Sequence, residues 1–141
     1  MADVVRAVLR GGLLAGLAMV PFAALFRGIG WRVNEYGRKT LELAVGVVDS
    51  PLREALMLAQ HLAISVVVAL PFVVAARGIE RRPLRVRAGA AYGLGFYVVV
   101  NSLALPFAFG DPTPWQLGFA TVFPSLAIHL VYGVVLAMAT R

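Results

Sequence analysis

His61 and His129 are the two histidines of this 141-residue chain, and each lies inside a strongly apolar run. The runs are LMLAQHLAISVVVALPF around His61 and SLAIHLVYGVVLAMATR around His129. An imidazole among aliphatic side chains can bond across helices, relay a proton or hold an iron. Ser65 follows His61 by four residues and Ser125 precedes His129 by four. That spacing puts each pair on one helical face. If the two faces meet, His61 comes level with Ser125 and Ser65 with His129, giving two crossed pairs. At 1.5 Å per residue the histidines lie roughly 15 and 21 Å along their own segments, one turn apart. Tyr97, Asn101 and Ser102 enter at similar depth and complete a buried polar layer.

Three chemistries fit this layer. Interhelical hydrogen bonding would contribute roughly 0.6–2 kcal/mol per contact. A small-solute or proton path would use the same groups, although the apolar runs hold no Asp, Glu or Lys beside the histidines. Bis-histidine ligation of haem b by His61 and His129 is the third, provided the two segments part enough for a porphyrin. A metal site is not expected, because no third ligand accompanies the imidazoles. No nucleophile with a base, no phosphate-cradling glycine loop and no paired carboxylates occur, so no catalytic residues are assigned and a non-enzymatic role is expected.

The elements that must carry these residues follow from composition. Apolar residues make up 60% of the chain and charged residues 14%, with a mean hydropathy of +0.83. A water-soluble domain of this size could not cover so much apolar surface. Cysteine is absent, which removes disulfides and thiolate chemistry. The fold class expected is an all-α membrane protein, a bundle of four transmembrane helices with a short interfacial helix on the outer side. The spans are residues 8–26, 51–76, 88–109 and 115–140, each near the ~20 residues that cross ~30 Å of hydrocarbon. Helix is the expected form because backbone in lipid must satisfy its own hydrogen bonds. Ser50 reads as an N-cap with Pro51 at the first helical position. Arg6 and Arg10 before the first run also resemble a secretion signal, but no A-x-A site is followed by a plausible mature start. A retained helix is therefore expected.

Residues 31–49 are too mixed to span. Trp31 and Tyr36 suit a membrane interface, and Leu41, Val45 and Val48 share a helical face that rests on the outer surface or caps the bundle. The net charge of +6 sits mostly in loops, where it sets topology rather than pointing to nucleic acid. Arg6, Arg10, Arg77, Arg81, Arg82, Arg85, Arg87 and Arg141 fall on one side. Arg27, Arg32, Arg38, Lys39 and Arg53 fall on the other, where Glu35, Glu42, Asp49, Glu54 and Asp111 cancel them. Both termini are expected in the cytoplasm of a bacterial-type inner membrane. Arg77, Arg81, Arg82, Arg85 and Arg87 are expected to meet anionic phospholipid, at about 1 kcal/mol per basic residue.

Gly12–Gly16 and Gly89–Gly93 are GxxxG strips that allow close backbone approach. Lying at one depth on parallel helices, they are expected to form a single packing contact, with a homodimer seam as the alternative. A faint repeat pairs GLLAG with GAAYG and HLAISVVVAL with HLVYGVVLAM, as if two helix pairs were related by an axis along the membrane normal.

The stretches GAAYGLGFYVVVNSLALPF and AIHLVYGVVLAMA resemble YagU-like small bacterial inner-membrane proteins. The run characteristic of their last helix falls on His129, Leu130, Tyr132, Gly133 and Leu136, with Ala137 replacing a glycine. His61 matches a similar histidine, though Ser65 and Val66 stand where tyrosine and glycine are usual. The resemblance implies a four-helix inner-membrane protein without a settled activity. The role expected is an accessory or structural subunit that packs with other membrane subunits or with itself. No cofactor is expected, haem b being the alternative.

Overall fold

The computed structural model describes residues 1–33 and 36–140, so Asn34, Glu35 and Arg141 lie outside the described residues, together with the charge assignments of Glu35 and Arg141. The described chain is helical, with no strand. Four helices are long and apolar enough to cross a membrane: Ala2–Gly28, Ser50–Gly78, Arg82–Phe109 and Phe119–Ala139. By element these are α1 (Ala2–Gly28), α3 (Ser50–Ala75) with a 3₁₀ turn at Ala76–Gly78, α4 (Arg82–Phe96) continued by a π-helical segment (Tyr97–Ala104) and α5 (Leu105–Phe109), and α7 (Phe119–Ala139). Two short helices complete the chain, α2 (Tyr36–Val45) and α6 (Pro114–Leu117).

Each boundary has a local cause. Asp49 is the N-cap of α3, with Ser50 and Pro51 opening the helix, so the cap falls one residue earlier than the sequence indicates. The fourth expected span is interrupted at Gly118, whose φ of +95° only glycine adopts freely. Trp115 therefore lies in the separate turn α6, which Thr113 and Gln116 close with a capping box. The third helix begins at Arg82, six residues before the apolar run, because arginine is a good helix former and its stem tolerates apolar neighbours. Pro21, Pro71 and Pro124 lie within helices. Each removes one backbone donor without ending its helix, since neighbouring helices support the backbone.

The long helices run alternately up and down. α1 packs on α3 and on α7, and α7 packs on α4. The remaining side, between α3 and α4, closes through larger side chains. The Phe72 and Tyr92 rings lie 5.5 Å apart, and the Tyr92 hydroxyl donates to the Val68 carbonyl. Going round the bundle the order is α1, α3, α4, α7, so α1 and α4 stand diagonally, as do α3 and α7. Ala15, Ala69, Tyr97, Ile128, Tyr132 and Leu136 lie in the interior.

The end away from the chain termini is covered. Leu41 of α2 is buried, while Val45 is exposed. Tyr36 stacks on Phe109 at 5.5 Å, Lys39 pairs with Asp111, and Gln60 donates to the Thr40 hydroxyl. α2 thus caps the bundle through Leu41 and its polar contacts, and Val45 is not part of the docked face. Phe26, Trp31, Phe119 and Phe123 form an aromatic cluster at this same end, with centroids 5.3–6.3 Å apart.

Candidate functional site

His129 projects from α7 into the bundle. Its Nδ1–H donates to the Ser125 carbonyl one turn back at 2.6 Å, and its Nε2 accepts from Asn101 Nδ2 at 2.9 Å. A carbonyl can only accept, so the proton sits on Nδ1 and the ring is neutral. Phe96 stacks beside the imidazole at 6.0 Å and Tyr97 lies 5.5 Å away. Tyr97, Ser102 and Ser125 are essentially without exposed surface. Of the seven residues expected in the polar layer, Tyr97, Asn101 and Ser125 lie against the His129 ring, and Ser102 is buried on the same segment as Tyr97 and Asn101.

The π-helical segment explains part of this convergence. Leu105 N–H reaches the Val100 carbonyl, five residues back. Pro106 follows and has no N–H to continue an α-helical ladder. In the wider coil, residues five apart share a face, which turns Tyr97 and Ser102 toward each other. π-helical turns are rare and occur frequently at functional positions.

His61 and Ser65 form a second group. His61 Nε2–H donates to the Gly16 carbonyl of α1 at 3.0 Å, and the Ser65 hydroxyl donates to the His61 carbonyl at 2.8 Å. The crossed pairs expected from spacing are replaced by these bonds. His61 meets Gly16 rather than Ser125, and Ser65 meets its own helix rather than His129. The reason is the ring order: α3 and α7 stand diagonally, while α1 lies directly against α3. Tyr132 links the groups across the diagonal, its hydroxyl donating to the Ser65 carbonyl at 2.6 Å.

The glycine strips also serve different neighbours. A Cβ on Gly12 would stand 2.5 Å from Val66 Cα, and one on Gly16 would stand 2.7 Å from Ser65 Oγ, both on α3. A Cβ on Gly89 or Gly93 would overlap the Gly133 or His129 carbonyl of α7. The expected single contact between the strips is thus two contacts, because the parallel helices α1 and α4 are diagonal. The two hairpins α1–α3 and α4–α7 nevertheless use one plan. In each, a glycine strip packs where a histidine is followed four residues later by a small residue, Ser65 or Gly133. The faint sequence repeat has this physical counterpart. Comparison of the chain with protein-family models, with curated proteins and with solved structures finds no match.

At the terminal end, Arg77, Arg81, Arg82 and Arg87 are exposed but Arg85 is buried. Its guanidinium donates to Ala76 O at 2.6 Å, Thr140 O at 2.8 Å, Thr140 Oγ1 at 3.1 Å and Ala137 O at 3.3 Å. It also lies 5.8 Å from the Phe72 ring. Arg85 thus departs from the lipid-facing role expected for the whole loop. Position 85 points inward between the ends of α3 and α7, whose terminal carbonyls carry negative dipole charge and lack helical donors.

Sequence reasoning left out Tyr92, Tyr132, Gly133 and Thr140 as structural contacts. Tyr132 lies three residues after His129 and Gly133 four, so the helical period itself carried the signal. Nothing local marks Thr140 as the acceptor of an arginine 55 residues away.

Proposed function

We propose that this protein is a small non-enzymatic integral membrane protein, a structural or accessory subunit that assembles with other membrane subunits or with itself. Its four long helices cross a bacterial-type inner membrane, with both termini and the arginine-rich end in the cytoplasm and α2 at the outer face. The distribution of lysine and arginine supports this orientation. Exposed Arg77, Arg81, Arg82 and Arg87 face anionic phospholipid headgroups. The resemblance to YagU-like proteins agrees with this reading.

One observation carries the proposal: His61, His129, Tyr92, Tyr132 and Arg85 all spend their polar groups on the bundle itself. His61 holds α1 to α3, His129 holds α7 to the π-helical segment, and Tyr132, Tyr92 and Arg85 tie α7 and α4 to carbonyls of α3. Intramembrane polar groups used in this way contribute packing and register. Haem ligation is the second reading to weigh. It would require His129 to release Asn101 or Ser125, and His61 to turn from Gly16 or ligate through Nδ1. A proton or solute path would have to displace the same bonds.

The test is an absorption spectrum of protein gently purified from haem-sufficient cells, oxidised and then reduced with dithionite, with the native mass measured on the same sample. The proposal expects a featureless spectrum and a mass of a defined oligomer or stoichiometric assembly. A Soret band lost on His61→Ala or His129→Ala would replace it with a haem-carrying electron-transfer subunit. A monomer that dissipates a proton gradient in vesicles would replace it with a transport role.

A further inference from the structure

Arg6 and Arg10 lie one turn apart near the start of α1, and both are exposed. Val8, Gly12 and Ala15 of the same helix are buried, so the arginines stand on the opposite, outward side. Exposed Leu13 and Leu17 continue that face along the helix. The two arginines, with apolar Val5 and Leu9, border a shallow groove. Neither arginine forms an ion pair or hydrogen bond among the described residues, whereas Arg38 and Arg53 pair with Glu42 and Glu54.

Depth gives these charges a consequence. From Arg10 to Arg27 α1 rises roughly 25 Å at 1.5 Å per residue, short of the ~30 Å hydrocarbon core. With Arg27 at the outer edge, Arg6 falls at the inner edge and Arg10 about one turn inside it. A charge there is costly unless it faces the bundle interior, reaches the headgroups or meets an anion. Arg10 faces outward. Helical side chains tilt toward the N-terminus, so its stem leads back to headgroup level beside Arg6.

We propose that Arg6 and Arg10 form a binding site for one anionic phospholipid, whose phosphate is clasped by both guanidiniums while an acyl chain lies along Leu13 and Leu17. The planar fork of an arginine matches phosphate oxygens two at a time. The occupant is a lipid rather than free phosphate, because the rest of the groove is apolar and the clasp stands at the hydrocarbon edge. Arg81 and Arg82 differ, lying at the turn between α3 and α4 with no apolar rail beneath them. The site rests on the reading that α1 crosses the membrane, and not on assembly with other subunits.

Native mass spectrometry of the intact protein, released from nanodiscs of equal phosphatidylcholine and phosphatidylglycerol, tests the proposal. Each basic residue contributes about fivefold to anionic-lipid affinity, so the pair predicts a roughly twenty-five-fold preference for phosphatidylglycerol in the first retained lipid. Arg6→Gln with Arg10→Gln should remove that preference. Arg81→Gln with Arg82→Gln removes equal charge and should lower it far less. Equal losses in the two double variants, or no loss in the first, would overturn the site. Arg6→Lys with Arg10→Lys keeps the charge without the fork and should recover only part of the preference; full recovery would overturn the clasp. Added inorganic phosphate should leave the lipid in place, and displacement would overturn the lipid assignment. Extraction of the wild-type chain from vesicles by carbonate would overturn the membrane crossing itself, a failure distinct from lost lipid preference.

Discussion

Replacing Arg85 with leucine should unfold the terminal end of the bundle first. The guanidinium makes four hydrogen bonds, to Ala76 at the end of α3 and to Ala137 and Thr140 at the end of α7. Hydrogen bonds to a charged group are worth about 1.5–3 kcal/mol each, net of the exchange with water. The four bonds share one head group and so do not add in full, and removing it should cost about 3–5 kcal/mol. Leucine keeps much of the apolar stem and so isolates the head group. Lysine retains the charge but cannot span both helix ends with a planar fork, and Arg85→Lys should fall between the two. The assay is reversible unfolding in lipid bicelles, with exposed Arg87→Leu as the control, expected within about 0.5 kcal/mol of wild type. An Arg85→Leu protein as stable as the Arg87→Leu control would refute the role assigned to the buried arginine.

Glycine substitutions should separate by contact. Gly93→Ala and Gly133→Ala place a Cβ against facing backbone, and overpacking of this kind costs about 1–3 kcal/mol; Gly95→Ala meets nothing within 4 Å and should be neutral or stabilising, as thermal unfolding of the three variants will show. Tyr36 is pushed up to about 12 by burial first and by the Asp111 carboxylate second. Because its folded value is raised, the α2 cap is intact below the ordinary tyrosine value near 10 and weakens as pH rises from there through about 12. Ultraviolet titration should show a phenol ionising near 12 that Tyr36→Phe removes and Asp111→Asn moves to lower pH; a Tyr36 phenol that ionises near the usual value of about 10 would contradict the docking of α2. The cysteine-free chain makes topology directly measurable: a membrane-impermeant maleimide should label Val47→Cys on intact cells and Gly78→Cys only after lysis. Labelling of both from one side would contradict the four-crossing arrangement.

The long apolar runs foretold the four helices because continuous hydropathy leaves a chain in lipid no other backbone solution. Their ends were harder to read. Residues 82–87 carry too much charge to register as a span, yet the helix extends through them, and Gly118 interrupts a run that hydropathy presents as continuous. The histidines, Asn101 and Ser102 announced themselves as polar exceptions. Their partners did not, because pairing depends on which helices are adjacent. Spacing alone puts His61 opposite Ser125 or opposite Gly16 with equal ease. Ring order decides, through contacts such as Gly12 on Val66 that no local pattern specifies. Arg85 shows the same limit: among five arginines in eleven residues, only the tertiary arrangement distinguishes the buried one. The π-helical coil had one legible precursor, Pro106, whose missing N–H disturbs the ladder near its end.

The central claim is that the intramembrane histidines join helices. A double-mutant cycle on Asn101→Ala and His129→Ala, measured by reversible unfolding in bicelles, tests it most directly. The account predicts that each single variant is destabilised and that the two effects are coupled by about 0.6–2 kcal/mol. Additive variants with wild-type stability, in a protein that loses a haem spectrum or a proton flux when His129 is replaced, would contradict it.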